Sequence, residues 1–178
     1  VEGRITRGQS LRSGELAVRK LAALEALSRT REVRAAWLQS IRIEPELWPT
    51  SALIDWYLVL RRTPGLGEQP ARLAQAERIL RERLNLQGTT MGFSTERGDD
   101  WWWLMATPDG NANRLLLAML DNPAWQADMG RLARGALGRQ QRGRWDTTLA
   151  NAWGVLAMEK FSAKFEAAPV SGKSVAIL

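Results

Sequence analysis

The chain has 178 residues, 45% hydrophobic and 25% charged, with a net charge of +6, which places it in the globular class and within the size of one ordinary domain. It contains no Cys and no His, which excludes disulfides, thiolate nucleophiles, His-centred acid/base catalysis and zinc sites built from those residue types. Its 25 basic residues are 21 Arg together with Lys20, Lys160, Lys164 and Lys173, and the arginines are dispersed and interleaved with Glu, whereas a nucleic-acid footprint gathers on one face.

Apolar runs such as Leu58–Leu60 and Leu115–Leu120 fall far short of the roughly 20 residues that span a bilayer. Residues 1–11 (VEGRITRGQSL) carry Arg4 and Arg7 with no apolar stretch behind them, so they do not read as a signal peptide. A first residue of Val in place of Met leads to the expectation of a piece of a longer protein.

Ala17, Leu21, Leu24 and Ser28 repeat at helical spacing, predicting a first helix from Ser13, its cap, to Ser28. After Thr30, Val33, Ala36, Trp37 and Ile41 predict a second amphipathic helix with Arg31, Glu32 and Arg34 facing water. Punctuation at Pro45 and Pro49 precedes Thr50, an expected N-cap, and SALIDWYLVL, apolar around most of its circumference apart from Asp55 and therefore buried. Pro70 opens the next helix, where Leu73, Ala76, Leu80 and Leu84 oppose Arg72, Glu77, Arg78, Arg81 and Glu82.

Residues 85–100 read as loop, with TTMGFS (89–94) and Trp101–Trp103 as a short extended excursion. Helix resumes near Asp109, capped by Asp109 or Asn111; Leu115–Leu120 is apolar on all sides, and Asn122-Pro123 ends it. Trp125, Met129, Leu132 and Ala136 stripe an outer helix whose polar side holds Gln126, Asp128, Arg131, Arg134 and Arg139. The loop QRGRW leads to Asp146 or Thr147 as cap of a last helix. Leu149, Ala152, Trp153, Leu156 and Lys160 mark one of its faces, and Ala150, Gly154 and Ala157 line the other.

From Thr30 the order is thus amphipathic, apolar, three times over. Short connections keep neighbours antiparallel, and the alternation predicts an all-α fold of two layers, with inner helices buried all round and outer helices buried on one side. From Ser162 the sequence is expected to lose helical periodicity and to end in a strand-like Val175–Leu178. The expected division is a helical domain over 1–161, then a linker and the start of a β domain over 162–178.

Residues 134–162 (RGALGRQQRGRWDTTLANAWGVLAMEKFS) resemble the closing hairpin of the helical domain of bacterial alpha-2-macroglobulin-like proteins: a helix ends in a Gln- and Gly-bearing turn, then Trp, a capping Thr and an alanine-rich inner helix. Residues 101–125 (WWWLMATPDGNANRLLLAMLDNPAW) resemble the same family. The resemblance implies the C-terminal part of an α/α toroid corresponding to the thioester domain. It also implies a large periplasmic or envelope-associated parent that traps proteinases, and as partners proteinases, neighbouring domains of the parent and other envelope proteins. The family's thioester needs a Cys-x-Glu-Gln segment that a chain without Cys does not contain, so either that segment lies upstream of Val1 or, as is expected, the parent belongs to the thioester-less subfamily. No catalytic residue, metal ligand or cofactor is carried over.

Three adjacent indoles at Trp101, Trp102 and Trp103 cannot all enter one core, so an interface is expected there. Gln140, Gly143, Trp145, Thr147 and Trp153 are expected to be structural, with Trp145 and Trp153 plugging the hairpin. Asp99, Asp100 and Asp109 beside the Trp run give the rival reading, a toroid enzyme acting on a glycan or isoprenoid; helix caps and core tryptophans account for the same residues.

Overall fold

The computed structural model describes residues 13–30, 33–39, 41, 43–94 and 101–167, and these are mostly helical. The α-helices are α1 (Ser13–Ser28), α2 (Thr50–Arg62), α3 (Gln69–Glu82), α4 (Pro108–Met119), α5 (Met129–Leu137) and α6 (Thr148–Phe165). A single antiparallel hairpin, β1 (Leu84–Gln87) and β2 (Thr90–Phe93), lies between α3 and α4, with Leu84 opposite Phe93 and Gln87 opposite Thr90.

Two helices make the centre. Ten of the thirteen residues of α2 are buried, including Leu53, Ile54, Trp56, Tyr57 and Leu60, as expected of a helix apolar nearly all round. In α4 nine of twelve are buried. α2 packs on α1, α3 and α4, and α4 packs on α2, α5 and α6. The helices α1, α2, α4 and α6 thus form a row of neighbours, with α3 set against α2 and α5 against α4. α1 contributes the predicted stripe, Ala17, Leu21 and Leu24, and ion pairs at i,i+4 spacing, Arg19 with Glu15 and Arg29 with Glu25, brace its outer turns.

Several expected elements differ. The helix predicted after Thr30 is absent among the described residues: only a three-residue 3-10 turn, Ala35–Trp37, forms, after an extended Arg34, and none of the three is buried. A helix this short needs tertiary packing to form. Here the apolar residues Val33, Trp37, Leu38, Ile41 and Ile43 instead lie as a strap on the core, pinned where the Trp48 indole N–H donates to Ile43 O at 2.9 Å. Thr50 is the first residue of α2 rather than its cap. Pro49 precedes it, and the Thr50 hydroxyl accepts from Arg83 at 3.0 Å.

Thr107, not Asp109 or Asn111, caps α4, accepting from the Gly110 N–H at 3.2 Å. The stripe from Trp125 is split: Pro123–Asp128 is 3-10, with Asn122 accepting from Ala124 N, and α5 begins only at Met129. Leu84–Gln87, read as helix end and loop, is a strand, because Thr90–Phe93 offers it a partner across the Gly88 turn.

The last helix departs furthest from expectation. α6 continues past Ser162 to Phe165, where Phe161 and Phe165 stack at 5.0 Å and the Glu166 N–H donates to Ser162 O; the strand-like reading of 175–178 lies outside the described residues. Nor is α6 an inner helix buried all round. Its buried residues are Ala150, Gly154 and Ala157, while Leu149, Val155, Leu156 and Phe165 are exposed.

Close approach also governs the hairpin. A Cβ on Gly135 of α5 would stand 2.0 Å from the Met91 carbonyl oxygen of β2, so the strand sits directly on the helix backbone. Gly135→Ala is expected to destabilise the protein by about 1–3 kcal/mol, because the obstacle is main chain that yields little. Gly130→Ala on the same helix, with only the Arg134 side chain nearby, should be neutral or stabilising by up to about 1 kcal/mol. Urea unfolding of the two variants checks the contrast.

Candidate functional site

A cavity of about 440 Å³ lies among α1, α2, α4 and α6, lined by Glu25, Arg29, Arg61, Arg62, Arg114, Trp153 and apolar residues including Leu58, Leu117 and Leu156. Its volume lies in the range of ligand-binding clefts. The positions follow from the helices: Arg61 and Arg62 form the last turn of α2, Arg114 lies in α4, Arg29 follows α1, and Trp153 and Leu156 come from α6.

The charges are arranged in unequal groups. Glu25, nearly buried, accepts from Arg29 (3.0 Å) and from Arg62 (2.5 Å), so two guanidinium groups share one carboxylate. Burial pushes the Glu25 carboxyl up, but the hydrogen bonds and charges of Arg62 and Arg29 outweigh it and hold it below its ordinary value. Arg114 pairs with Asp55 of α2, whose burial raises its carboxyl above the ordinary range against the pull of Arg114. Asp121 on the rim is bonded by Lys164 Nζ at 2.7 Å, which lowers its carboxyl.

Arg61 is different. It is exposed, donates to the Tyr57 hydroxyl and Ala118 O at 3.5 Å each, and has no carboxylate within ion-pair distance among the described residues, although its charge helps Lys164 to lower the Asp121 carboxyl. The Trp153 ring lies in this cavity, 5.8 Å from the Arg29 guanidinium carbon and 5.6 Å from that of Arg114. It therefore does not plug the hairpin, as expected of it; cation–π attraction to two arginines holds it one side of α6 away. The lining offers guanidinium forks and apolar walls, a combination that recognises oxyanions carried on an apolar body.

The sequence reading did not single out Arg29, Arg61, Arg62 or Arg114. A signal for one pair was present: Asp55 interrupts the apolar run of α2 and Arg114 adjoins that of α4, and an unpaired charge would be costly to bury in either place.

The predicted hairpin forms at α5–α6. Gln141 and Arg144 bridge across a turn in which Arg142 (φ +54°) and Gly143 (φ +75°) are both left-handed, the tight hairpin geometry that favours Gly. Gln140 joins through its N–H to Leu137 O at 3.0 Å. Trp145 is buried, its indole N–H donating to Ala136 O at 2.8 Å, and a Cβ on Gly154 would fall 2.3 Å from its ring. Asn151 brackets the Trp145 backbone from both sides, and Thr147 caps α6 by accepting from Ala150 N.

The Trp run is thrown outward by a small loop: Trp101 and Ala106 exchange backbone hydrogen bonds at 2.9 and 3.2 Å, and Trp102–Leu104 is a 3-10 turn. It is not the extended excursion predicted, since the left-handed Met105 folds the chain back on Trp101. Trp101 packs on the core near Gly14, while Trp102 and Trp103 are 65% and 49% exposed. Of the rival reading's carboxylates, Asp99 and Asp100 lie outside the described residues, and both Asp109 oxygens are engaged, by Arg139 Nε (2.6 Å) and the Asp146 N–H (3.0 Å).

Family models, curated proteins and solved structures yield no match to this chain. No described helix is long and apolar enough to cross a membrane.

Glu25→Gln is expected to cost about 1–3 kcal/mol at pH 7, less than breaking a fully buried pair, because Arg29 and Arg62 are part-exposed and rehydrate. The sign with pH follows from the depressed carboxyl: its contribution is present above its ordinary value of 4.5 and is lost as pH falls through the lower folded value. Chemical denaturation of parent and variant from pH 7 down to pH 3 should therefore show the two stabilities converging.

Proposed function

We propose that this chain is a non-catalytic helical binding domain that docks other polypeptide through the outward face of α6 and the Trp102–Trp103 patch. Its wider setting is a thioester-less, macroglobulin-like protein of the bacterial envelope that traps proteinases, and the row of α1, α2, α4 and α6 with α3 and α5 behind it forms part of that family's α/α toroid. The observation that carries the reading is the orientation of α6. Its buried residues are the small Ala150, Gly154 and Ala157, Met158 and Phe161 pack partly on the core, and Leu149, Val155, Leu156 and Phe165 are exposed, large apolar side chains left in water of the kind that marks contact surfaces.

The resemblance of residues 101–125 and 134–162 supports the family setting, and the buried Trp145 and the Thr147 cap supply the physical roles that the resemblance assigns to the closing hairpin. Partners in this setting are the neighbouring domains of the parent, captured proteinases and other envelope proteins.

A photo-crosslinking amino acid placed at Val155 or Trp102 of the full-length parent, expressed in cells, tests the docking. Adducts to another polypeptide, or to another domain of the parent, are expected from both positions and not from the exposed Ala71 of α3. Equal labelling at all three positions, or none at any, would contradict the reading.

A further inference from the structure

We infer that the cavity among α1, α2, α4 and α6 is the receptor for an acidic segment of the docked polypeptide, one that places a pair of carboxylates beside an apolar side chain. The inference rests on the docking reading above and specifies the chemistry of the partner.

Charge balance carries the first part. Arg114 is matched by Asp55 and Lys164 by Asp121, whereas Arg29 and Arg62 share the single charge of Glu25 and Arg61 has no carboxylate within ion-pair distance among the described residues. The groups around the cavity therefore carry five positive and three negative charges, an excess of two. All three are exposed in part; Arg29 donates from Nε and Nη2 to Glu25 and Arg62 from Nη1 to Glu25 and Ser28, which leaves Arg29 Nη1, Arg62 Nη2 and most of Arg61 to a ligand that enters from solvent. Planar forks of this type bind carboxylates bidentately, with geometric as well as electrostatic selectivity.

Continuity carries the second part. Leu156 lines the cavity and also belongs to the exposed apolar face of α6. A segment lying along α6 passes from Val155 and Leu156 directly to the cavity, where Leu58, Leu117 and the Trp153 ring accept its apolar side chain while its carboxylates meet Arg61, Arg62 and Arg29. An occupant with both features gains charge steering and apolar burial at once.

The test uses the 178-residue chain labelled with 5-fluorotryptophan, with the Trp153 fluorine resonance assigned from Trp153→Phe. Three probes are titrated: an acetylated hexapeptide amide of sequence Gly-Leu-Glu-Glu-Leu-Gly, the same peptide with Gln for both Glu, and inorganic phosphate. The acidic peptide should move the Trp153 signal saturably and bind more tightly at low salt. The Gln peptide should bind at least about tenfold more weakly, the scale of one charge-assisted contact.

Arg61→Gln, at an exposed position, should weaken the acidic peptide by about threefold to tenfold with an unchanged unfolding midpoint. Leu156→Glu, which brings a carboxylate to the cavity itself, should abolish binding. Equal affinity for the two peptides, or no movement of Trp153 with either, would overturn the inference. So would saturation by phosphate that leaves the acidic peptide no further effect, which would make this a site for small anions. If the peptide fails while crosslinks from Val155 persist, the acidic receptor is wrong and the docking reading stands.

Discussion

A carboxylate buried inside an apolar helix constrains this structure more than any other single group. Asp55 is almost wholly enclosed within α2, and its charge is costly there unless a cation is brought to it. Arg114 supplies that cation from α4, so the two helices that form the centre are held in one register by the only polar contact between their side chains that the described residues show. Arg114 does a second thing in the same position. It forms a wall of the cavity and draws the Trp153 ring toward it, so the core pairing also shapes the surface feature with the clearest binding chemistry.

The placement of α6 follows from how tightly it meets α4. Asn113 of α4 donates to the Ala150 carbonyl at 3.0 Å, and Trp145 lies against Gly154 where a methyl group would not fit. Only the small-residue side of α6 allows such an approach, and the helix turns accordingly. Met158 and Phe161 still reach the core, but Leu149, Val155, Leu156 and Phe165 are left exposed, so a helix of inner-layer composition stands at the edge of the row.

Sequence periodicity identified the elements whose packing is decided by a single dominant face. α1 buries the stripe predicted for it, α5 buries Met129, Leu132 and Ala136, and the apolar runs of α2 and α4 are mostly buried as expected; in α3 Ala76 and Leu80 are buried while Leu73 is half-buried and Leu84 falls in β1. The turn at Arg142–Gly143, the Trp145 plug and the Thr147 cap were legible because each depends on local chemistry within a few residues. α6 was misread because both of its faces are apolar; which face goes inward depends on the ring at Trp145 and the backbone at Ala150, neither visible in a hydrophobic pattern. The segment after Thr30 has helical spacing but no face deep enough to bury, so it settled as a strap. The cavity was invisible because its arginines come from three separate segments, just past the end of α1, the last turn of α2 and the middle of α4, and none of them signals a site by itself.

The most direct measurement of the central claim is a double-mutant cycle on the pair that joins α2 to α4, using Asp55→Asn, Arg114→Gln and the double variant, with stability read by chemical denaturation. If the pair sets the register, each single change should cost about 3–5 kcal/mol because it strands a buried charge or polar group, and the double variant should cost well under the sum. Single effects that add to within about 0.5 kcal/mol would contradict the account, since independent sites behave in that way.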